Sequence, residues 1–237
     1  MNSGMYAALS GNLSAMSRLD VIANNLANAS TPGFKGDQIQ FESVMAVAQN
    51  DTQGAIYSND RFSTDFSSGS LQKSDNVLDV ALNGDGFFVV NTPQGPAYTR
   101  QGNFRRGAGN KLVTVDGYEV QGQNGPITMA GGRIDIGNTG VVTVDGTVAG
   151  TIARVDFPKP YALSKAGGGL FVPVDPQAAT TPATAEVKQG YLESSNVKVV
   201  VEMARMIEAS RYFESCAKAV QSYNDMASKA ANDLGKV

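Results

Sequence analysis

Residues 196–234 read NVKVVVEMARMIEASRYFESCAKAVQSYNDMASKAANDL, and this run decides the fold. Taken every third and fourth residue from Val199, it gives one seam: Val199, Met203, Met206, Ser210, Phe213, Ala217, Val220, Asn224, Ala227, Ala231 and Leu234. Steps alternating between four and three without a break form a heptad repeat. Val200, Ala204 and Ile207 widen the apolar stripe at its start. Acid-before-base pairs lie off the seam: Glu202 with Arg205, Glu208 with Arg211, Glu214 with Lys218, Asp225 with Lys229. That order suits a helix and stabilises it by about 0.2–0.5 kcal/mol per pair. Ser194, Ser195 and Asn196 offer N-cap oxygens, Gly235 offers a stop, and no proline intervenes. At 1.5 Å per residue the helix would be roughly 55–60 Å long, more than a compact domain of this chain needs. The seam therefore predicts a helical partner. Its small residues bury little area but allow several helices to approach closely, which favours a multi-helix assembly over an isolated two-stranded coil. A C-terminal helix folded back on its own domain would show the same pattern.

Residues 3–28 carry a second helical pattern in Met5, Leu9, Leu13, Met16, Leu19, Ala23 and Leu26. Asn28 and Ser30-Thr31-Pro32-Gly33 end it, since proline and glycine do not continue the ladder. The chain thus opens and closes with seam-bearing helices. Packing them together still leaves apolar surface on both, so neighbouring copies are expected to share it.

Between them the pattern changes. Residues 34–75 place Phe34, Ile39, Phe41, Val44 and Met45 in a polar background, followed by a Ser/Asp/Asn/Thr-rich stretch from Asn50 to Ser70. They predict an extended arm with short strands or a brief helix, anchored by Tyr57, Phe62 and Phe66. From Asn76 to about Phe157 short β-rich runs alternate with Asp-Gly pairs at 85–86, 116–117 and 145–146. Asp-Gly between such runs signals a tight hairpin with positive φ at both turn positions. Thr-Val-Asp-Gly at 114–117 and again at 143–146 suggests one shared turn design, and the segment predicts seven or eight short strands. Residues 158–190 are loop-like apart from a strand at 170–172. The expected fold class is α+β: terminal helices as a coiled-coil-like pair, an extended arm and an all-β middle. The expected division is 1–33, 34–75, 76–188 and 189–237.

Composition narrows the function classes. The 237 residues carry a formal charge of −3 without a basic cluster, which offers nucleic acid or an anionic membrane no footing. With no histidine and one cysteine, Cys216, the His-dependent nucleophile systems and an internal disulfide framework are excluded. No apolar run approaches the roughly 20 residues of a membrane span, and no secretory signal is visible. Asn83-Gly84-Asp85-Gly86 lacks the acids of a calcium loop. Gly167-Gly168-Gly169 lacks the context of a phosphate cradle. Asp135 and Asp145 could serve as a carboxylate pair on peptidoglycan or another glycan, but nothing fixes their separation. A glycan-binding β-domain is the related alternative. No residue is assigned to catalysis, a cofactor or a metal.

Five stretches carry a resemblance: IANNLANASTPGFK at 22–35, DVALNGDGFFVV at 79–90, YTRQGNF at 98–104, GYLESSNV at 190–197 and MIEASRYFE at 206–214. In this order they closely resemble the signatures of the bacterial flagellar axial proteins, the rod and hook proteins. The resemblance is weakest over 45–70 and 158–188. It implies terminal helices packed into an inner tube, a bracing arm, and an outer β-domain. It also implies export through the flagellar type III apparatus without a cleaved signal, and assembly in the periplasm with copies of itself and other rod proteins. The short chain and compact middle resemble the proximal rod members most, with distal rod or hook-type members as the alternative. The assembly interface is then expected at the seam residues Leu9, Met16, Leu26, Val199, Met203, Met206, Phe213, Val220 and Leu234, and at the motif residues Asn24, Asn28, Phe34 and Asn196.

Overall fold

The computed structural model describes residues 2–45 and 56–234. Gly235 and the polar stretch 46–55 lie outside the described residues, as do the side chains of Phe41, Val44, Met45, Tyr57, Ala231 and Leu234. The chain forms two units, one of residues 1–28, 36–65 and 197–237, the other of 29–35 and 66–196.

The first unit holds helix α1 (Asn2–Ala27), helix α2 (Val199–Leu234) and an antiparallel hairpin of β1 (Asp37–Met45) and β2 (Ile56–Thr64). The helices run antiparallel: Arg18 lies over the Tyr212 ring at 5.5 Å, and Asn25 reaches Glu202. At Gly11 an added Cβ would sit 3.0 Å from both Cys216 Sγ and the Tyr212 hydroxyl, so the absent side chain lets the helices close. α1 ends where the Asn28 N–H and side-chain amide both donate to the Asn24 carbonyl. α2 starts at Val199, three residues beyond the expected cap, and places Glu202 in its first turn, where a negative charge complements the helix dipole.

Here the expected architecture is corrected. The buried line between the helices is Ser14, Ala15, Ile22 and Asn25 against Glu202 and Ala209, not the heptad seam. The line on α2 runs one residue ahead of the seam, a rotation of about 100° per residue on a helix. The stripe was wide enough to admit either line, and small and polar residues with Ile22 occupy the one that closed. The pair is therefore not a coiled coil through Val199, Met203 and Met206. The arm is corrected too: Asp37–Met45 and Ile56–Thr64 pair antiparallel with each other, while Leu71–Lys73 (β3) pairs with the strand Tyr191–Glu193.

The second unit is β-rich. A large mixed-length sheet is built around β5 (Phe87–Thr92) and β6 (Gly95–Thr99), whose antiparallel register sets Phe88 opposite Thr99 and Val90 opposite Ala97. β4 (Val80–Asn83) pairs instead with Glu186–Gln189. Successive residues of a strand point to opposite faces, and both faces of β5 are buried. Phe88 and Val90 join Val80, Leu112, Ile127 and Ile152 in one core. Phe87 joins Phe157, Leu163 and Phe171 in another, with Phe66 and Tyr161 packed against it. The strands are shorter and more numerous than expected, and 158–190 contributes Leu163–Gly167, Leu170–Pro173, Thr181–Pro182 and Glu186–Gln189. Among the three Asp-Gly pairs only Asp145-Gly146 has both residues at positive φ, so the two Thr-Val-Asp-Gly copies do not share a turn.

Candidate assembly interface

In the helical unit many large apolar side chains face outward. Leu13 is 59% exposed, Met16 51%, Met203 50% and Ile207 58%, with Met5, Leu9, Val199, Val200 and Val201 exposed beside them. Met206, Phe213, Val220 and Leu26 are half-buried. Apart from Ile22, the helix pair thus closes through glycine, alanine, serine and buried polar groups while many of its bulkier apolar residues meet solvent. That inverts the ordinary preference for burying such residues, and it leaves an apolar surface suited to further helices.

Polar bonds fix the pair to its hairpin. Asn25, buried, accepts the Asp37 N–H at 2.9 Å through Oδ1, donates to the Asp37 carbonyl at 2.8 Å, and reaches Glu202 Oε2 at 3.4 Å. Glu202 also accepts from Arg205 at 2.6 Å. Asn24, its neighbour in the motif, is exposed. The motif pointed to Asn24, and the contact falls to Asn25. The helical phase relative to Ile22, three residues earlier, was the signal that could have separated them.

In the β-rich unit the motif residues meet around one carboxylate. Glu193 Oε1 accepts from Lys35 Nζ at 2.6 Å and from the Gly69 N–H at 2.9 Å, and Oε2 accepts from Arg100 at 3.2 Å. Lys35 also donates to the Ser67 carbonyl at 2.7 Å, and Arg100 to the Gly84 carbonyl at 2.7 Å. All three charged side chains are at most 3% exposed. Glycines bring the backbones in. Gly33, at φ +67°, would set a Cβ 2.4 Å from the Arg100 carbonyl carbon, and one on Gly69 would lie 1.8 Å from the Ser194 oxygen. Phe34 is buried, and Asn196 donates to Ser67 rather than standing at the start of α2. Lys35, Arg100 and Glu193 were missed as site residues. Each was quoted within a motif, but only the fold brings positions so distant in sequence together.

The other candidates resolve into turn chemistry. Asp85 pairs with Lys159 at 2.6 Å between Gly84 and Gly86, both at positive φ. Asp145 accepts the Arg133 and Gly132 N–H groups, which hold its carboxyl below the usual range, and Asp135 pairs with Arg133.

An exposed apolar helix pair joined to a β-rich unit defines an assembly subunit, and comparison with known proteins agrees. The chain matches "Flagella basal body rod protein" over 5–35, "Flagellar hook protein FlgE/F/G D1 domain" over 81–144, and "Flagellar basal body rod FlgEFG protein C-terminal" over 188–234. Each match contributes one charged residue to the buried cluster: Lys35, Arg100 and Glu193 in turn. The chain is 30% identical to flagellar basal-body rod protein FlgF of Rhizobium meliloti over 240 residues, covering 99% of both chains. It is also 30% identical to FlgF of Caulobacter vibrioides over the full length of both. It is 32% identical to flagellar basal-body rod protein FlgG of Bacillus subtilis, covering 96% of this chain and 97% of that one. The chain belongs to the flagellar basal-body rod protein family and is a structural subunit of the rod. The family places it in the flagellar basal body, assembled with other rod components.

Proposed function

We propose that this chain is a subunit of the proximal rod, a segment of the hollow drive shaft that transmits torque. The observation that carries the reading is the burial of the helix pair, with Ser14, Ala15, Asn25, Glu202 and Ala209 inside beside Ile22, and Leu13, Met16, Met203 and Ile207 outside. Burying each such side chain stabilises by about 1.5–3 kcal/mol, so sister subunits and adjacent rod proteins that cover the face gain what the isolated chain forgoes. The residues that make these contacts are Leu9, Met16, Leu26, Val199, Met203, Met206, Phe213, Val220 and Leu234. A head-to-tail contact whose rotation does not close builds an open helical stack. The terminal segments 1–33 and 189–237 carry the assembly, and 76–188 stands outside it. The chain leaves the cytoplasm through the flagellar type III apparatus and polymerises in the periplasm, with no catalytic role.

Alignment length favours the proximal position. The FlgF relative from Rhizobium meliloti aligns over 240 residues against 237 in this chain, whereas the Bacillus subtilis FlgG alignment takes 257 and needs many more gaps. Deleting the gene and imaging where rod growth stops tests this. Growth arrested before any distal rod forms is the expected outcome; arrest after the proximal segment would assign the chain to the distal rod, and a complete rod would refute the reading.

A further inference from the structure

We propose that Glu193 is a clasp through which the β-rich unit takes up load from the chain segments that run to the helical unit. The proposal rests on the torque-transmitting reading above. The chain passes from one unit to the other at 28/29, 35/36, 65/66 and 196/197. On the β-rich side these passages leave three segments, 29–35, 66–70 and 193–196, and each is bonded to the others. The Gly33 N–H donates to the Glu193 carbonyl at 2.7 Å, the Ser194 N–H to the Ser70 carbonyl at 2.8 Å, and the Asn196 N–H to the Phe34 carbonyl at 3.4 Å. The Glu193 carboxylate draws the same segments together through Lys35 and Gly69, then fastens them through Arg100. Arg100 follows β6 directly and holds the carbonyl of Gly84, just past β4. A pull on any passage is thus shared among all three segments and delivered to the main sheet. The nearest regular pairing is a two-stranded sheet three residues long, Leu71–Lys73 against Tyr191–Glu193, and such a pair is marginal by itself.

The charges set a ranking. Glu193 is bonded to two buried cations. Removing the carboxylate takes the anion from Arg100, which then keeps the Gly84 carbonyl, the costly way to break a buried pair. Removing Arg100 leaves Lys35 and Glu193 paired. A second substitution at Arg100 should therefore relieve the loss at Glu193, whereas losses of mere packing would add.

The test compares full-length Glu193→Gln, Arg100→Met and the double variant by amide hydrogen exchange, and by swimming of cells carrying each in media of rising viscosity. In Glu193→Gln, exchange over 33–35, 67–73 and 191–196 should accelerate about a hundredfold, with the amides of Val141–Val144 unchanged. The double variant should fall between the two single ones. Cells with Glu193→Gln should swim at low viscosity and stall where the parent still swims. Exchange rising equally across the whole unit, a double variant worse than Glu193→Gln, or speed lost by the same fraction at every viscosity would overturn the proposal. If Glu193→Gln does not fold, recovery of folding in the double variant supports the clasp and its absence refutes it. Failure of the rod reading shows separately, as a complete rod in the deletion strain.

Discussion

At Gly102 the chain passes so close to β4 that an added Cβ would lie 1.5 Å from the Val80 carbonyl oxygen. The obstacle is backbone, so nothing flexible can yield. Gly102→Ala should destabilise the β-rich unit by about 3 kcal/mol or more, read as a lowered denaturant midpoint. Gly125, at φ +114° with nothing within 4 Å of its virtual Cβ, isolates the conformational part. Its alanine variant should lose about 1–2 kcal/mol. A second test concerns pH. The Tyr161 hydroxyl donates to Asp156 Oδ1 at 2.9 Å, and burial, that bond and the Asp156 charge push its ionisation above the usual tyrosine range. A group raised on folding contributes stability that is fully present below its unfolded value and lost as pH rises through the folded one. Thermal melts should therefore weaken as pH climbs beyond about 10. Tyr161→Phe should flatten that alkaline decline. Single residues were the least legible part of the sequence. Asp145-Gly146 formed the two-residue turn at positive φ that its spelling announces. The identical Asp116-Gly117 lies in the longer hairpin loop between Leu112–Val113 and Glu119–Gly122 with only its glycine at positive φ, because the surrounding strands decide which turn fits. Glu193 looked like an ordinary charge because its partners come from three distant segments.

At the scale of elements, both long helices could be read from apolar periodicity, and their inward face could not. On α2 the line through Glu202 and Ala209 and the line through Met203 and Met206 are adjacent, and hydropathy favours the second. Packing chose the first because Gly11 and Ala15 permit close approach only along that line. The arm was legible as strand-bearing but its pairing was not, since its polar background conceals a register that emerges only when Asp37 faces Thr64 and Thr64 Oγ1 donates to the Asp37 carboxylate at 2.7 Å. Phe213, half-buried in the single chain, tests the difference between folding and assembly. Phe213→Ala should cost assembly about 3–5 kcal/mol if neighbours complete its burial, abolishing rods and motility while the β-rich unit keeps its melting temperature. A fall in that melting temperature would mean that Phe213 serves the chain's own fold.

At the scale of the whole molecule, the β-rich middle was legible as a class but not in its closure. Glu186–Gln189 returns to pair with Val80–Asn83, and Tyr191–Glu193 with Leu71–Lys73. Pairings between such distant segments leave no local trace in sequence. This unit holds its core within one chain, whereas the helical unit leaves apolar surface to others. In the purified monomer, amide exchange should accordingly be slow in Phe87–Thr92 and fast throughout 3–28 and 199–234. Strong protection of both terminal helices before assembly would contradict that.

The most direct measurement is thiol accessibility before and after assembly. With Cys216 replaced by serine, Met16→Cys and Met203→Cys should each react fully with a maleimide in the purified chain. Both should be protected in isolated basal bodies, where neighbouring subunits cover the helix pair. Equal labelling in the two states would show that the apolar face stays open to solvent, and would contradict the claim that this chain polymerises through it.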